Sequence, residues 1–105
     1  MTIIQPTLGN FTVYTKTGCL YCDKVKDLLI DEMHLPTYVS CDDYIVIDRE
    51  QFLEDIDMLC GRVYRRFPMV FYDGKFIGGF VETKEFIRCL EPEREPHVLS
   101  KGYSC

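Results

Sequence analysis

Two cysteines three positions apart are the residues of this chain best suited to chemistry. They lie in Cys19-Leu20-Tyr21-Cys22, and on a helix residues at this spacing share one side. A thiolate attacks a disulfide to form a mixed disulfide, which a second nearby thiol can then attack. The spacing therefore favours thiol–disulfide exchange, with Cys19 as the nucleophile and Cys22 as the resolving thiol.

Two other interpretations of this pair stay open. Half of a zinc ribbon has the same spacing, and so do two cysteines that only pack in a core. A structural zinc ion requires four ligands, and the sequence has no second C-x-x-C and no cluster of histidines to complete them. We therefore expect no metal.

The residues on either side of the pair predict a strand followed by a helix. Residues 11–15 are β-branched or aromatic and end before the breaker Gly18, which is typical of a strand. The next apolar residues recur at helical spacing, and they are Val25, Leu28 and Leu29. A helix therefore begins at or just after Cys19. The unpaired N–H groups and the dipole at its N-terminus would stabilise a Cys19 thiolate, and Lys16 adds a positive charge.

The middle of the chain predicts a second strand and a second helix. Residues 37–41 favour a strand, although residues 44–47 are also apolar and leave its position uncertain. Asp48 and Gln51 form a capping-box pattern before a helical stripe that ends at Cys60, and Gly61 can terminate that helix.

The last third predicts a hairpin and a short helix. Residues 69–72 and 75–77 are apolar and flank Asp73-Gly74, a dipeptide typical of two-residue hairpin turns. A third helix is expected to begin near Glu82 or Thr83, and residues 91–105 form a polar tail.

The element order β-α-β-α-β-β-α predicts the fold class. A strand, a crossover helix and a strand make a parallel unit, and a hairpin adds antiparallel strands to the same sheet. We expect an α/β thioredoxin fold with a four-stranded mixed sheet and helices on both faces. The 105 residues make one domain with its core at about 11–90.

Composition narrows the partners and the compartment. The net charge of −5 argues against a nucleic-acid-binding or anionic-membrane surface. No basic start followed by an apolar run marks a signal peptide, and no apolar run is long enough to cross a bilayer. We expect a cytoplasmic monomer in which most of the six cysteines are free thiols. Cys60 and Cys89 are expected to be small packing residues, and the role of Cys41, at a strand end, is left undecided. Cys105 is expected to be exposed, so that it could be glutathionylated or form an intermolecular bridge.

Two further patterns lie beyond the cysteine pair. Phe67-Pro68 precedes the third strand, and a cis bond there would turn the Phe67 backbone towards the cysteines, whereas a trans bond would only limit the strand. Gly78-Gly79 allows close backbone approach, so the N–H groups of Val81 and Glu82 could hold a carboxylate, although two glycines are more often a turn.

In combination these segments resemble the glutaredoxin family. The matching segments are Lys16-Thr17-Gly18-Cys19-Leu20-Tyr21-Cys22 and the run from Phe67-Pro68 through Asp73-Gly74 to Gly78-Gly79. The resemblance covers roughly residues 11–90. It implies glutathione as co-substrate and the reduction of glutathione mixed disulfides and protein disulfides, with ribonucleotide reductase as one conceivable protein acceptor.

The resemblance also implies roles for individual residues. Cys19 would take the glutathionyl group and Cys22 would resolve it. Lys16, Tyr21 and Arg65 would contact glutathione. Of these, Lys16 would lie near a carboxylate, and Arg65 would contact the carboxylate of the glycine. The remaining glutathione-binding positions are Phe67 and Pro68, for the cysteinyl part, with Gly79, Val81 and Glu82 towards the γ-glutamyl end.

Three departures from the family pattern bear on these roles. Leu20 replaces the usual proline of the cysteine motif, Arg66-Phe67 replaces the usual Thr-Val, and Glu82 replaces a usual aspartate. The first is expected to alter the redox potential, the second to make the pocket wall bulkier, and the third to disturb the γ-glutamyl contact and its helix cap.

Three alternative functions remain. The first is an electron donor recycled by thioredoxin reductase. The second is an iron–sulfur cluster scaffold, since exchange of the motif proline, here Leu20, permits a shared cluster in the family. The third is a non-catalytic interaction domain.

Overall fold

The computed structural model describes residues 3–31 and 35–90, apart from the side chains of residues 31 and 90. Within these residues the elements are β1 (Phe11–Thr15), α1 (Leu20–Asp31), β2 (Thr37–Ser40), α2 (Asp42–Ile47), α3 (Arg49–Cys60), β3 (Met69–Tyr72), β4 (Lys75–Gly78) and α4 (Phe80–Leu90). The predicted polar tail, with Cys105, lies outside the described residues. No helix of the described part is long and apolar enough to span a membrane.

The four strands form one mixed sheet. Their order is β2-β1-β3-β4, with β1 parallel to β2 and the other neighbouring pairs antiparallel. Helix α1 is the crossover between the two parallel strands. The predicted α/β thioredoxin fold is confirmed, with one helix more than the sequence indicated.

The sheet separates two apolar cores. Successive side chains of a strand point to opposite faces, so Val13 packs with α1 and α4 whereas its neighbour Tyr14 packs with α3. The first core contains Phe11, Val13, Val25, Leu29, Val70 and Ile87. The second contains Ile3, Tyr14, Val39, Cys41, Phe52, Ile56, Cys60, Met69 and Phe71. Burial of both faces of β1 holds the strand that leads to the cysteine pair.

Three predicted local signals are confirmed. The carboxylate of Asp48 accepts a hydrogen bond from the Gln51 N–H at 3.1 Å and caps α3. Gly61 ends that helix in the left-handed region, with φ 74°. Asp73 and Gly74 both have positive φ, 54° and 81°, as a two-residue hairpin turn of type I′ requires.

The prediction for residues 37–47 is corrected. Strand β2 ends at Ser40, and the apolar residues that left its position uncertain form the short helix α2. The Cys41 N–H still donates to the Thr15 carbonyl at 2.8 Å, but the Cys41 carbonyl accepts from the Ile45 N–H at 3.0 Å and starts the helix. Val46 is 83% exposed, so the apolar run does not mark a buried strand.

Helix α4 begins earlier than predicted. The Thr83 N–H donates to the Gly79 carbonyl at 3.0 Å, which makes Gly79 the N-cap and Phe80 the first helical residue. The expected start near Glu82 or Thr83 was therefore wrong by two or three residues.

Candidate functional site

The cysteine pair lies where β1 passes into α1. The strand ends at Thr15, and loop 16–18 turns through Gly18, whose φ is 77°. The Cys19 carbonyl accepts from the Asp23 N–H at 3.3 Å, so Cys19 is the N-cap of α1. Its sulfur accepts a hydrogen bond from the Cys22 N–H at 3.1 Å. Both the hydrogen bond and the helix dipole favour a negative charge on this sulfur.

The two sulfur atoms are in bonding proximity. Cys19 and Cys22 form a disulfide with 2.50 Å between the Sγ atoms and 5.2 Å between the Cα atoms. Cys22 is buried, whereas Cys19 is half-buried. The more accessible sulfur is thus the one at the helix N-terminus, as the assignment of Cys19 as nucleophile requires.

A groove of about 290 Å³ borders the cysteine motif at Tyr21. The bond between Phe67 and Pro68 is cis, so of the two alternatives for this dipeptide the structure has the cis form and not the trans form. The lining residues come from three segments and are Tyr21, Tyr64, Arg66, Phe67, Pro68, Gly79, Phe80, Val81 and Glu82. Six predicted glutathione-binding positions are therefore brought together in one groove.

The two predicted cationic contacts are placed differently. The Lys16 ammonium lies 5.5 Å from the centre of the Phe67 ring, next to a wall of the groove. The Arg65 guanidinium instead forms an ion pair with Asp57 of α3, with 2.6 Å between Nη1 and Oδ1, and Arg65 does not line the groove. Arg66 does, so the cation of this wall is the neighbour of the predicted residue.

Tyr64 is a groove residue that sequence reasoning did not name, and Arg66 was expected as part of the pocket wall but not as a glutathione contact. The Tyr64 ring packs edge-on against Phe76, with 4.8 Å between ring centres, and burial raises the pKa of Tyr64, with the nearby Glu82 adding to the effect. No sequence signal distinguished Arg66 from Arg65, because the segment before Pro68 belongs to no strand or helix.

The N-terminus of α4 closes the far end of the groove. The Glu82 carboxylate accepts a hydrogen bond from the Gly79 N–H at 2.9 Å, which is the second half of a capping box. The longer side chain of Glu82 therefore still caps the helix. The N–H groups of Phe80, Val81 and Glu82 have no acceptor within the helix, as in the first turn of any α-helix. They remain available to an anion.

Gly79 keeps this end open. A Cβ at this position would lie 3.2 Å from the Tyr64 hydroxyl oxygen and 3.6 Å from the Pro68 carbonyl oxygen. A larger side chain would thus project between the wall and the helix N-terminus. The sequence predicted close backbone approach at Gly79, and in the structure Gly79 lies close to the Tyr64 hydroxyl and the Pro68 carbonyl.

Two further cysteines of the described residues are buried free thiols, Cys41 and Cys60. Burial raises the pKa of Cys41 to about 12 and that of Cys60 to about 11. Both side chains pack in the second core, and a raised pKa disfavours the reactive thiolate, so Cys60 packs as expected and Cys41 is also a packing residue. Cys89, which was expected to pack as a free thiol, is instead disulfide-bonded. The described residues contain no cluster of His, Cys, Asp or Glu suited to a metal ion.

The fold and the site together define a class: thioredoxin-fold proteins with a redox-active Cys-x-x-Cys pair at the N-terminus of the first helix. The sequence assigns the chain within that class. The family model for glutaredoxin matches residues 11–77, which is more than half of the chain. The chain belongs to the glutaredoxin family, and the resemblance found in the sequence is confirmed.

Relatives of known identity agree. Mitochondrial glutaredoxin-2 of Mus musculus is 30% identical over 82 residues, which are 76% of this chain and 50% of that protein. The chain thus spans about half the length of this curated relative. Glutaredoxin 1 from Francisella tularensis, complexed with cacodylate, aligns with TM-score 0.66 and 26% identity over 76% of this chain and 93% of that one. A buckwheat glutaredoxin–glutathione complex aligns with TM-score 0.64 and 27% identity over 81% and 74%.

Proposed function

We propose that this protein is a glutathione-dependent thiol–disulfide oxidoreductase that reduces glutathione mixed disulfides and protein disulfides. One observation carries the proposal. The half-buried Cys19 sulfur caps α1 and accepts the Cys22 N–H at 3.1 Å, beside a groove that begins at Tyr21. A thiolate is stabilised there by fixed dipoles that need no rearrangement when the charge develops.

The one-thiol reaction needs only Cys19. Its thiolate attacks the glutathione sulfur of a mixed disulfide, the substrate sulfur leaves as a thiolate and takes a proton, and Cys19 becomes glutathionylated. The thiolate of a second glutathione attacks the glutathione sulfur of that adduct and restores Cys19 as a thiolate. Oxidised glutathione is released, so two glutathione units end in one disulfide.

The two-thiol reaction also uses Cys22. After Cys19 attacks a protein disulfide, Cys22 loses its proton and attacks Cys19 in the mixed disulfide, and the substrate leaves as a dithiol. The product is the Cys19–Cys22 disulfide, which is the form present in the structure. Two glutathione molecules then reduce it and leave as one disulfide.

The groove suits glutathione in charge. The tripeptide carries two carboxylates and one ammonium group. Arg66 on one wall and the first-turn N–H groups of α4 offer a site for each carboxylate, and the Glu82 carboxylate offers one for the ammonium. The absence of a side chain on Gly79 leaves the path between them open. A relative crystallised with glutathione, the buckwheat protein, supports this assignment.

Single-cysteine variants test the reaction. We expect the Cys22→Ser protein to retain much of its activity on a small glutathione mixed disulfide while losing the two-thiol reduction of protein disulfides. Rates are measured at fixed glutathione concentration with glutathione reductase as the coupling enzyme. Equal loss of both reactions in the Cys22→Ser protein would contradict the division of roles.

The physiological reductant is tested separately. The oxidised protein is titrated with glutathione or with thioredoxin reductase, and loss of the Cys19–Cys22 disulfide is followed. We expect glutathione to reduce the disulfide. Reduction by thioredoxin reductase and not by glutathione would favour the alternative of an electron donor recycled by that enzyme. We place the protein in a reducing, cytoplasmic environment. The monomeric state and ribonucleotide reductase as an acceptor stay predictions.

A further inference from the structure

A carboxylate outside the groove is attached to the loop that precedes the nucleophile. One oxygen of Asp42 accepts the Thr17 N–H at 3.0 Å, and the other accepts the Thr17 hydroxyl at 2.5 Å. The Ser40 hydroxyl donates to Asp42 at 3.4 Å. We refer to the two bonds between Asp42 and Thr17 as the clasp. It joins residues 25 positions apart, at the start of α2 and two residues before Cys19.

The loop held by the clasp has little other support. Residues 16–18 are all exposed, and Gly18, with φ 77°, has open space where a side chain would be. Within residues 3–31 and 35–90, the other side-chain contact recorded for this loop is Lys16 over the Phe67 ring. The clasp therefore fixes the backbone that leads into the N-cap of α1.

The N-cap geometry at Cys19 depends on that backbone. The hydrogen bond from the Cys22 N–H to the Cys19 sulfur requires the N-cap residue to hold a non-helical conformation before the first turn. A loose loop would sample conformations in which this bond is absent. The fraction of Cys19 that is thiolate would fall with it.

We propose that Asp42 is a positioning residue for Cys19: by holding Thr17, it keeps the Cys19 sulfur at the N-terminus of α1 and so sustains the reactivity of its thiolate. The inference rests on the proposed function for its biological meaning. Its chemistry concerns one thiol and can be measured without glutathione.

The charge of Asp42 acts in the opposite direction to its hydrogen bonds. The bonds from Thr17 lower the pKa of Asp42, and Lys16 lowers it further, so the group is an anion at neutral pH. An anion near a thiolate disfavours it. In the first turns of α1 and α2, the other charged residues are Asp43 in α2 and Asp23 in α1. Substitutions must therefore separate charge from geometry.

Two substitutions of Asp42 make that separation. Asp42→Asn removes the charge but retains an oxygen for the Thr17 N–H, whereas Asp42→Ala removes the clasp. The reduced proteins are treated with iodoacetamide, whose iodide the Cys19 thiolate displaces, in a Cys22→Ser background. Alkylation of Cys19 is followed by mass spectrometry across pH. We expect Asp42→Ala to raise the midpoint of the pH–rate profile by about one unit and to slow alkylation at pH 7 roughly tenfold. Asp42→Asn should retain most of the rate.

Thr17 provides an independent variant. Thr17→Val removes the hydroxyl bond of the clasp without altering any charge and is expected to slow alkylation in the same direction, by about threefold. Thr17→Ser should retain the wild-type rate. This pair tests the proposal even where Asp42→Ala fails to fold.

Asp48 is the matched control. It is also an aspartate at the start of a helix and accepts one backbone N–H, from Gln51 at 3.1 Å, but it does not contact loop 16–18. Asp48→Ala should lower the stability measured in urea and leave Cys19 alkylation unchanged. Equal rates in wild type and Asp42→Ala, a faster rate in Asp42→Ala, or an Asp42→Asn rate as low as that of Asp42→Ala would overturn the proposal. If glutathione turnover is absent in the wild type while these rates still differ as expected, the proposed function fails and the positioning role stands.

Discussion

The N-termini of α1 and α4 both border the site, and they are capped in different ways. Helix α1 is capped by Cys19, whose own sulfur accepts the Cys22 N–H at 3.1 Å. Helix α4 is capped by Gly79, which has no side chain, and the Glu82 carboxylate returns to the Gly79 N–H at 2.9 Å. One cap is a reactive atom, and the other leaves the first-turn donors open to the groove.

The difference shows how one physical property serves two purposes. Both helix ends present N–H donors and a positive dipole end. At α1 the acceptor is covalently part of the helix, so the stabilised charge is that of the nucleophile. At α4 the N-cap residue Gly79 has no side chain, and the Glu82 carboxylate accepts the Gly79 N–H, so the N–H groups of the first turn are free to bind the charge of a ligand. Reaction and recognition are thereby assigned to separate helices.

The largest expected effect comes from removing the sulfur while keeping the cap. Serine is a good N-cap, so Cys19→Ser should retain α1 and the stability of the fold. Turnover of a glutathione mixed disulfide should fall by at least roughly a thousandfold, because the nucleophile is lost. Urea unfolding and a coupled turnover assay measure the two quantities. Full activity in this variant would refute the role of α1.

The next largest effect comes from adding a side chain at Gly79, the N-cap of α4. Gly79→Val should raise KM for glutathione roughly tenfold, because the new side chain projects towards Tyr64 and Pro68, which a Cβ would already approach to 3.2 and 3.6 Å. Alkylation of Cys19 by iodoacetamide should not change. If KM is unchanged in the substituted protein, glutathione does not occupy this end of the groove.

Substitutions of Glu82 separate its two tasks. Glu82→Gln can still accept the Gly79 N–H, so stability in urea should be retained while KM for glutathione rises a few-fold through loss of the charge. Glu82→Ala should lose the cap as well and cost about 1 kcal/mol of stability. Equal KM for wild type and Glu82→Gln would show that the carboxylate serves the helix alone.

The adjacent arginines give a smaller, salt-dependent contrast. Arg66 lines the groove, so Arg66→Gln should raise KM about threefold at low salt, with less effect as salt is added. Arg65 is paired with Asp57, so Arg65→Gln is the matched control and should leave KM unchanged. The reverse pattern would restore the assignment made from sequence.

The smallest effect is a pH dependence of stability. The Arg65 guanidinium beside Asp57 lowers the pKa of that carboxyl. A lowered folded-state pKa contributes stability above the unfolded value of about 3.9, and the contribution is lost as pH falls through the folded value. Wild type should therefore exceed Arg65→Gln slightly in stability at pH 7 and match it in strong acid. Urea unfolding midpoints of the two proteins between strong acid and pH 7 measure this difference. A difference that persists in acid would contradict a stabilising ion pair between Arg65 and Asp57.

The sequence predicted best the features that depend on neighbouring residues. The cap from Asp48 to Gln51, the left-handed Gly61 and the turn at Asp73-Gly74 are each set by residue types that allow few backbone conformations. Strand β1 and helix α1 followed from the change of period around Cys19. All these features appear in the structure.

The features that were missed depend on packing between distant segments. Helix α2 is six residues long, too short for a periodic pattern, and Tyr44 stacks on Phe52 of α3 with 6.3 Å between ring centres. Tyr64 and Arg66 line the groove, and Arg65 does not, because of how a segment outside any strand or helix packs beside α4. The clasp joins Asp42 to Thr17 across 25 positions.

Mass spectrometry of the Cys22→Ser protein after incubation with oxidised glutathione tests the central claim most directly. Attack by the Cys19 thiolate on oxidised glutathione releases one glutathione thiolate and leaves one glutathionyl group on the protein. We predict an adduct on Cys19, located by peptide mapping, with Cys41 and Cys60 unmodified because both are buried. An adduct on another cysteine in place of Cys19, or no adduct at all, would contradict the account.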